Sequence, residues 1–178
     1  MSYVPPIKNP GISAERLREI LRYDPKTGEL YWRLRDDVGS WWNGRYAGKE
    51  AGAHADKKGY FCISIDNHTY RTHRVIWSYV TGEWPEFEVD HKDTDRKNNR
   101  FENLRPATVE QQRHNMSLHK DSETGFKGVS ASKNSRYRAR IWVGGKEIML
   151  GYRDTAKEAH RLYVDAAAMY FGEFARKG

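Results

Sequence analysis

Val89-Asp90-His91-Lys92-Asp93, followed by Asn98-Asn99-Arg100-Phe101-Glu102-Asn103-Leu104-Arg105, is the stretch that decides how this chain folds. Glu88 to His91 reads as an extended segment, Lys92 to Arg100 as a loop rich in Asp, Asn and basic residues, and Phe101 to Leu104 as the returning strand. Thr108-Val109-Glu110-Gln111 is a capping box that opens a helix. Adjacent side chains of a strand point to opposite faces, so Asp90 can hold a hard, oxygen-preferring cation while His91 faces a water molecule. Such a base and cation are what phosphodiester hydrolysis at neutral pH requires. Asn103, twelve residues beyond His91, is placed to fix the imidazole tautomer. Gln112 and Asn115 lie one turn apart on the helix, and either can bring a side-chain carbonyl to the same ion.

Upstream, Ser13 caps a short amphipathic helix carrying Leu17, Ile20 and Leu21 and reaching Tyr23, before Pro25 and Gly28 stop it. From Leu30 to Thr72 the chain reads as β-structure: Leu30-Tyr31-Trp32, a glycine-rich connection through Gly48 and Gly52, Tyr60 to Ile65, an Asp66-Asn67 turn, and Thr69 to Thr72. Arg74 to Tyr79 is a brief helix closed by Gly82 and Pro85, and His73 at its start can cap it, pack or touch DNA, the structural roles being favoured. Downstream, three strands are expected at about 128–132, 136–143 and 147–152, with Gly144-Gly145 as a hairpin turn. A capping box at Thr155 to Glu158 opens a last helix, whose stripe Ala159, Leu162, Tyr163, Ala166 and Tyr170 should cover the sheet. The elements add up to an α+β chain: a β-rich N-terminal region running into strand, loop, strand and helix, then a small three-stranded antiparallel sheet packed on one helix. The expected domains are 1–118, with a core at about 72–118, and 125–178, joined by a linker at 119–124.

The charge is unevenly spread. The net charge is +7, and Thr124 to Gly178 holds eleven Lys or Arg against five acids, so +6 of it lies in the last third. A basic excess favours a polyanionic partner. Arg136, Arg138, Arg140 and Trp142 alternate along one strand and therefore share a face, with Tyr137, Ala139, Ile141 and Val143 on the other. Guanidinium groups and an indole in a row suit phosphates, guanine edges and stacking. The bland alternative is a solvated edge that blunts aggregation. One cysteine, Cys62, rules out an intrachain disulfide or a structural zinc of the paired-cysteine type. No run of about 18 apolar residues and no signal-type leader is present, so the expectation is a cytoplasmic protein with no membrane partner.

Val89 to Asp93 with Asn98 to Arg105 resembles the HNH endonucleases common in phage genomes and mobile introns. Tyr23 to Trp32, Gly59-Tyr60 and Thr72-His73-Arg74 extend the resemblance over about 17–115. It implies a ββα-metal motif with His91 as general base, Asp90 as metal ligand and Asn103 stabilising the motif. It also implies magnesium or manganese as cofactor, duplex DNA as substrate, and a phage-encoded protein working in a bacterial host. Where the family has an Asn or His ligand on the helix, this chain has Gln112, with Asn115 a turn away.

The last third resembles the DNA-binding domain named for the floral regulator APETALA. The resemblance is carried by Phe126-Lys127-Gly128-Val129, Tyr137 to Ile141, Leu150-Gly151-Tyr152 and Glu158-Ala159. It implies that Lys127, Ser130, Ser132, Arg136, Arg138, Arg140, Trp142 and Met149 face DNA. The expected function is therefore a metal-dependent, nicking or homing DNA endonuclease, monomeric by preference and anchored by a basic sheet. The alternative is a sequence-specific DNA-binding protein whose nuclease half no longer cuts. A third reading, an RNA-directed nuclease, would require cleavage of unpaired RNA.

Overall fold

Ser13 is extended and its hydroxyl accepts the backbone N–H of Arg16, capping helix α1 (Ala14–Ile20) in this computed structural model, which describes residues 11–108, 111 and 122–175. Leu17 and Ile20 point into the core, and the chain then straightens into β1 (Leu21–Asp24) instead of continuing the helix to Tyr23. The reason is pairing: Leu21 to Asp24 lie opposite Trp32 to Glu29 of β2 (Glu29–Trp32), giving a hairpin whose tip holds Gly28 at φ +80°. β2 also pairs with the short β3 (Glu50–Ala51).

Between β2 and β3 lies a helix that the glycines of this stretch disguised, α2 (Ser40–Tyr46). Its Trp42 packs edge-on against Trp32 and lies beside Tyr46. Asn43 exchanges two hydrogen bonds with the backbone of Arg35, at 3.0 and 2.7 Å. A second sheet has the order β4 (His54–Ala55), β5 (Phe61–Ile65), β6 (His68–Arg71), with Asp66 and Asn67 both at positive φ in the expected turn.

Helix α3 (Thr72–Thr81) follows β6 directly and ends on Gly82 in the left-handed conformation. The hydroxyl of Thr72 donates to the Gly52 carbonyl at 3.0 Å, and a side chain at Gly52 would collide with that hydroxyl. Arg74 is buried and donates to the carbonyls of Pro85 and Phe87, at 2.6 and 2.9 Å. It thereby fixes the approach to β7 (Glu88–His91), which pairs with β8 (Leu104–Ala107). Leu17, Ile20, Leu21, Leu30, Ile63, Ile65, Val75, Ile76, Val89 and Leu104 form one core under these pieces. Each such side chain contributes about 1.5–3 kcal/mol when fully buried.

The chain falls into two compact units, 1–109 and 110–178. In the second, β9 (Val129–Ala131), β10 (Tyr137–Val143) and β11 (Lys146–Arg153) form an antiparallel sheet in the order β11-β10-β9. Gly144 and Gly145, both at positive φ, make the hairpin turn. The C-terminal helix (Ala156–Phe171) is capped reciprocally: the Thr155 hydroxyl accepts the Glu158 N–H and donates to its carboxylate. Its buried line is Ala159, Tyr163 and Ala167, not the stripe ending in Tyr170, which is exposed while Phe171 packs on the core. Gly128 lies so close to the Tyr163 ring that any Cβ there would overlap it. This is the α+β architecture expected from the sequence. Among the described residues no helix is long and apolar enough to cross a membrane.

Candidate active site

β7 separates its side chains as a strand must: Val89 and His91 turn to the core side, Asp90 to the other. Asp90 lies directly opposite Arg105 of β8, and its Oδ2 accepts both Nε (3.0 Å) and Nη2 (2.9 Å) of that guanidinium. Both residues are buried, at 8% and 6% exposure. The metal-ligand position of the sequence reading is therefore held in a charge-assisted pair.

His91 is buried, and its Nε2 lies 3.0 Å from Asn99 Oδ1. An amide oxygen only accepts, so Nε2 carries the proton and Nδ1 is left as the basic nitrogen. Asn103 was expected to orient the imidazole, and here the structure corrects the sequence. Residues Phe101–Asn103 form a 3-10 turn, not strand, and this turns the Asn103 side chain into the loop. There its amide donates to Asp93 Oδ1 (2.9 Å) and to the Asn98 carbonyl (2.8 Å), and its oxygen accepts the Asp93 N–H. Asn103 thus braces the loop that presents Asn99, and Asn99 holds the His91 imidazole.

Two distant residues mould Asn99. A Cβ on Gly28 would lie 2.5 Å from the Arg100 nitrogen and 2.7 Å from the Asn99 carbonyl carbon, so the β1-β2 hairpin tip presses on the backbone beside the amide. The Tyr23 hydroxyl accepts the Phe101 N–H at 2.8 Å, and burial raises the pKa of that phenol. Nothing local marks these roles; Gly28 and Tyr23 are separated from the backbone of Asn99 to Phe101 by more than 70 residues of sequence.

Behind His91 stands His73, on the first turn of α3. The two rings meet edge-on with centroids 5.1 Å apart, and Tyr60 lies 5.3 Å from His73 and 6.2 Å from His91. Burial lowers the pKa of both histidines, His73 far more, with the neighbouring His91 adding to the effect on His73. Hydrogen bonding to Asn99 and the charges of Asp90, Asp93 and Asp95 pull His91 back the other way. Both rings are thus kept neutral near pH 7, the form in which His91 can take a proton. Asp93 is ionised to lower pH than usual: burial opposes this, but hydrogen bonds from Asn98, Asn103 and the Asp95 N–H outweigh it.

Gln112 and Asn115 lie outside the described residues. Among the described residues no cluster of three or more His, Cys, Asp or Glu is placed to hold a metal ion. The donor set of Asp90, Gln112 and Asn115 is all oxygen, which suits a hard divalent cation in chemistry.

A family model described as HNH endonuclease matches residues 70–114, a span that contains His73, Asp90, His91, Asn99 and Asn103. The uncharacterized HNH endonuclease of Acanthamoeba polyphaga mimivirus is 32% identical over 121 residues, which is 67% of this chain and 62% of that protein. Protein 3.8 of Escherichia phage T7 is 30% identical over 108 residues, 60% of this chain and 88% of the phage protein. The chain belongs to the HNH endonuclease family. It spans 62% of the length of the mimivirus relative. A solved structure titled for DNA binding and cleavage by the HNH homing endonuclease I-HmuI is 22% identical, covering 85% of this chain and 84% of that one. Its TM-score is 0.37, too loose a likeness to bear on the fold.

The second unit carries the remaining candidate residues. Register places Ser130, Arg138 and Tyr152 side by side, then Arg140 beside Met149 and Trp142 beside Glu147, all on the face opposite Ala139 and Ile141. A bulge between Ala139 and Arg140 keeps the alternation and leaves Leu150 with the core. Trp142 is 54% exposed and Met149 46%. Arg140 pairs with Glu147 at 2.8 Å, and Arg136 pairs with Asp154 at 3.2 Å in an exposed contact. The Ser130 hydroxyl is buried without a hydrogen-bond partner among the described residues. Ser132 donates its backbone N–H to the Arg136 carbonyl, closing the β9-β10 turn. The Lys127 carbonyl lies 3.1 Å from the His160 ring, a contact that ties the strand entrance to the helix.

Proposed function

We propose that this HNH chain hydrolyses phosphodiester bonds of duplex DNA, with Nδ1 of His91 removing a proton from the attacking water. The single observation that carries this reading is the His91–Asn99 hydrogen bond, which leaves a neutral imidazole with a defined basic nitrogen. Asn99 positions the base, and Asn103 with Asp93 holds the loop that positions Asn99. A magnesium or manganese ion held by Asp90 with Gln112 or Asn115 would neutralise charge developing on the phosphate and the leaving oxygen. Such an ion would compete with Arg105 for the Asp90 carboxylate. That same pair favours the second reading, a DNA-binding protein that no longer cuts.

The C-terminal sheet is the anchor in this proposal, with Lys127, Ser130, Ser132, Arg136, Arg138, Arg140, Trp142 and Met149 on or near the DNA. Support comes from the +6 charge of 124–178 and from the exposed indole and thioether flanking Arg140. Residues 119–124 would then link a nuclease unit to a DNA-gripping one resembling the APETALA-type domain, and one site per chain suits nicking by a monomer.

A nicking assay on supercoiled plasmid with magnesium or manganese tests the reading. Wild type is expected to relax the plasmid, and His91→Ala to lose about 100- to 10,000-fold in rate, the usual contribution of a general base. If wild type leaves the plasmid intact with every metal tried while still retarding duplex DNA, the binding-only reading replaces this one.

A further inference from the structure

Two arginines from different segments converge on one ring beside His91. Arg71 ends β6 and Arg96 lies in the loop 92–100, yet their guanidinium carbons sit 4.4 and 4.9 Å from the centroid of Tyr60. The two charges therefore lie within about 9 Å of each other, and the shared ring is 6.2 Å from the His91 ring. Neither charge is well compensated. Among the described residues the carboxylate paired with Arg71 is Asp56, whose Oδ2 lies 3.9 Å away, at the long end of an ion pair, while its Oδ1 accepts the N–H groups of Lys58 and Tyr60. Arg96 donates to a neutral group, the Lys58 carbonyl, at 2.6 Å, and among the described residues no carboxylate pairs with it.

Gathering like charges in this way costs energy in the free protein and is favourable once an anion arrives. A planar guanidinium stacked on an aromatic ring also keeps N–H groups at its edge for contact to phosphate. We propose that Arg71 and Arg96, seated on Tyr60, form a binding site for a backbone phosphate of the DNA that His91 acts on. The plain alternative is that they merely cover Tyr60, in which case their charge would not matter to DNA. This inference rests on the reading that the first unit engages DNA, but its test does not depend on cleavage.

The test is the salt dependence of duplex binding by the full chain, followed by fluorescence anisotropy. Arg71→Gln and Arg96→Gln should each lower the slope of log affinity against log salt, and the double variant should remove about 0.9 from it, the share of one phosphate. Between about 50 and 200 mM salt, the fall in affinity should therefore shrink about 3.5-fold for the double variant. Arg71→Lys and Arg96→Lys should restore most of the slope, and Arg45→Gln, an exposed cation on Trp41 of α2, should leave it unchanged. Arg96 lies on a loop, so its variant carries the test even if Arg71→Gln fails to fold. Slopes equal to wild type in a folded Arg96→Gln variant overturn the phosphate site, as does an equal change in Arg45→Gln. A wild type that binds but does not nick overturns the hydrolysis reading, and the slopes still decide the phosphate site.

Discussion

The two units treat their polar residues in opposite ways. In the first, Asp90, His91, Asn99 and Asn103 are all under 10% exposed and each is held by named partners. In the second, Arg138, Arg140, Trp142 and Met149 stand on an open sheet face, with their apolar neighbours Ala139 and Ile141 buried beneath. A buried constellation fixes geometry and protonation state, as chemistry on a phosphodiester needs. An open face offers area and charge, which suits gripping a partner of variable contour. Substitutions in the buried constellation should therefore act on rate, and those on the open sheet face on affinity.

The sharpest way to break that contrast is Gly28→Ala. The new methyl would overlap backbone at Asn99 and Arg100, at a residue whose φ already disfavours a side chain. A loss of about 2–4 kcal/mol is expected, read from the urea midpoint. Protein that remains folded in the cold should nick slowly yet bind DNA normally. Asn99→Ala comes next: cleavage should drop about 10- to 100-fold with little change in duplex Kd. Loss of binding without loss of rate would show that this loop grips instead of positioning.

On the other side of the comparison, Trp142→Ala should weaken duplex binding by about 5- to 30-fold and leave single-turnover cleavage at saturating protein unchanged. The smallest effect concerns pH. His73 and His91 have folded pKa values below their unfolded ones, because burial favours the neutral form. Their contribution to stability is present above pH 6.5, and is lost as pH falls, because the unfolded chain takes up protons first. Unfolding free energy should decline below pH 6.5 by at most about 1.4 kcal/mol per pH unit for each histidine. His73→Gln, measured by the same titration, should flatten part of that decline.

The sequence made the motif legible because its elements are local: a strand with Asp90 and His91, a polar loop, a capping box. The C-terminal sheet and helix were legible for the same reason, since period-two alternation and Gly144-Gly145 mark them directly. Helix α2 was hidden because the stretch leading through Gly48 and Gly52 reads as a glycine-rich connection, while Trp42 of the helix packs on Trp32. β1 was hidden because Leu17, Ile20, Leu21 and Tyr23 fit a helical stripe equally well, and only pairing with β2 decides between the two. The exchange of roles between Asn103 and Asn99 follows from a 3-10 turn that residue spacing does not encode. His73, Tyr60 and Gly28 belong to the site through tertiary packing alone.

The contact of Gly28 and Tyr23 with the Asn99–Phe101 backbone bears on how this chain could be dissected or transplanted. The family model starts at residue 70, so the matched segment invites excision as a minimal cassette. A graft that began there would carry His91 and Asn99 but leave behind the mould that shapes the loop between them. The portable module is the hairpin together with the motif, two pieces of chain that recombination would have to move as one.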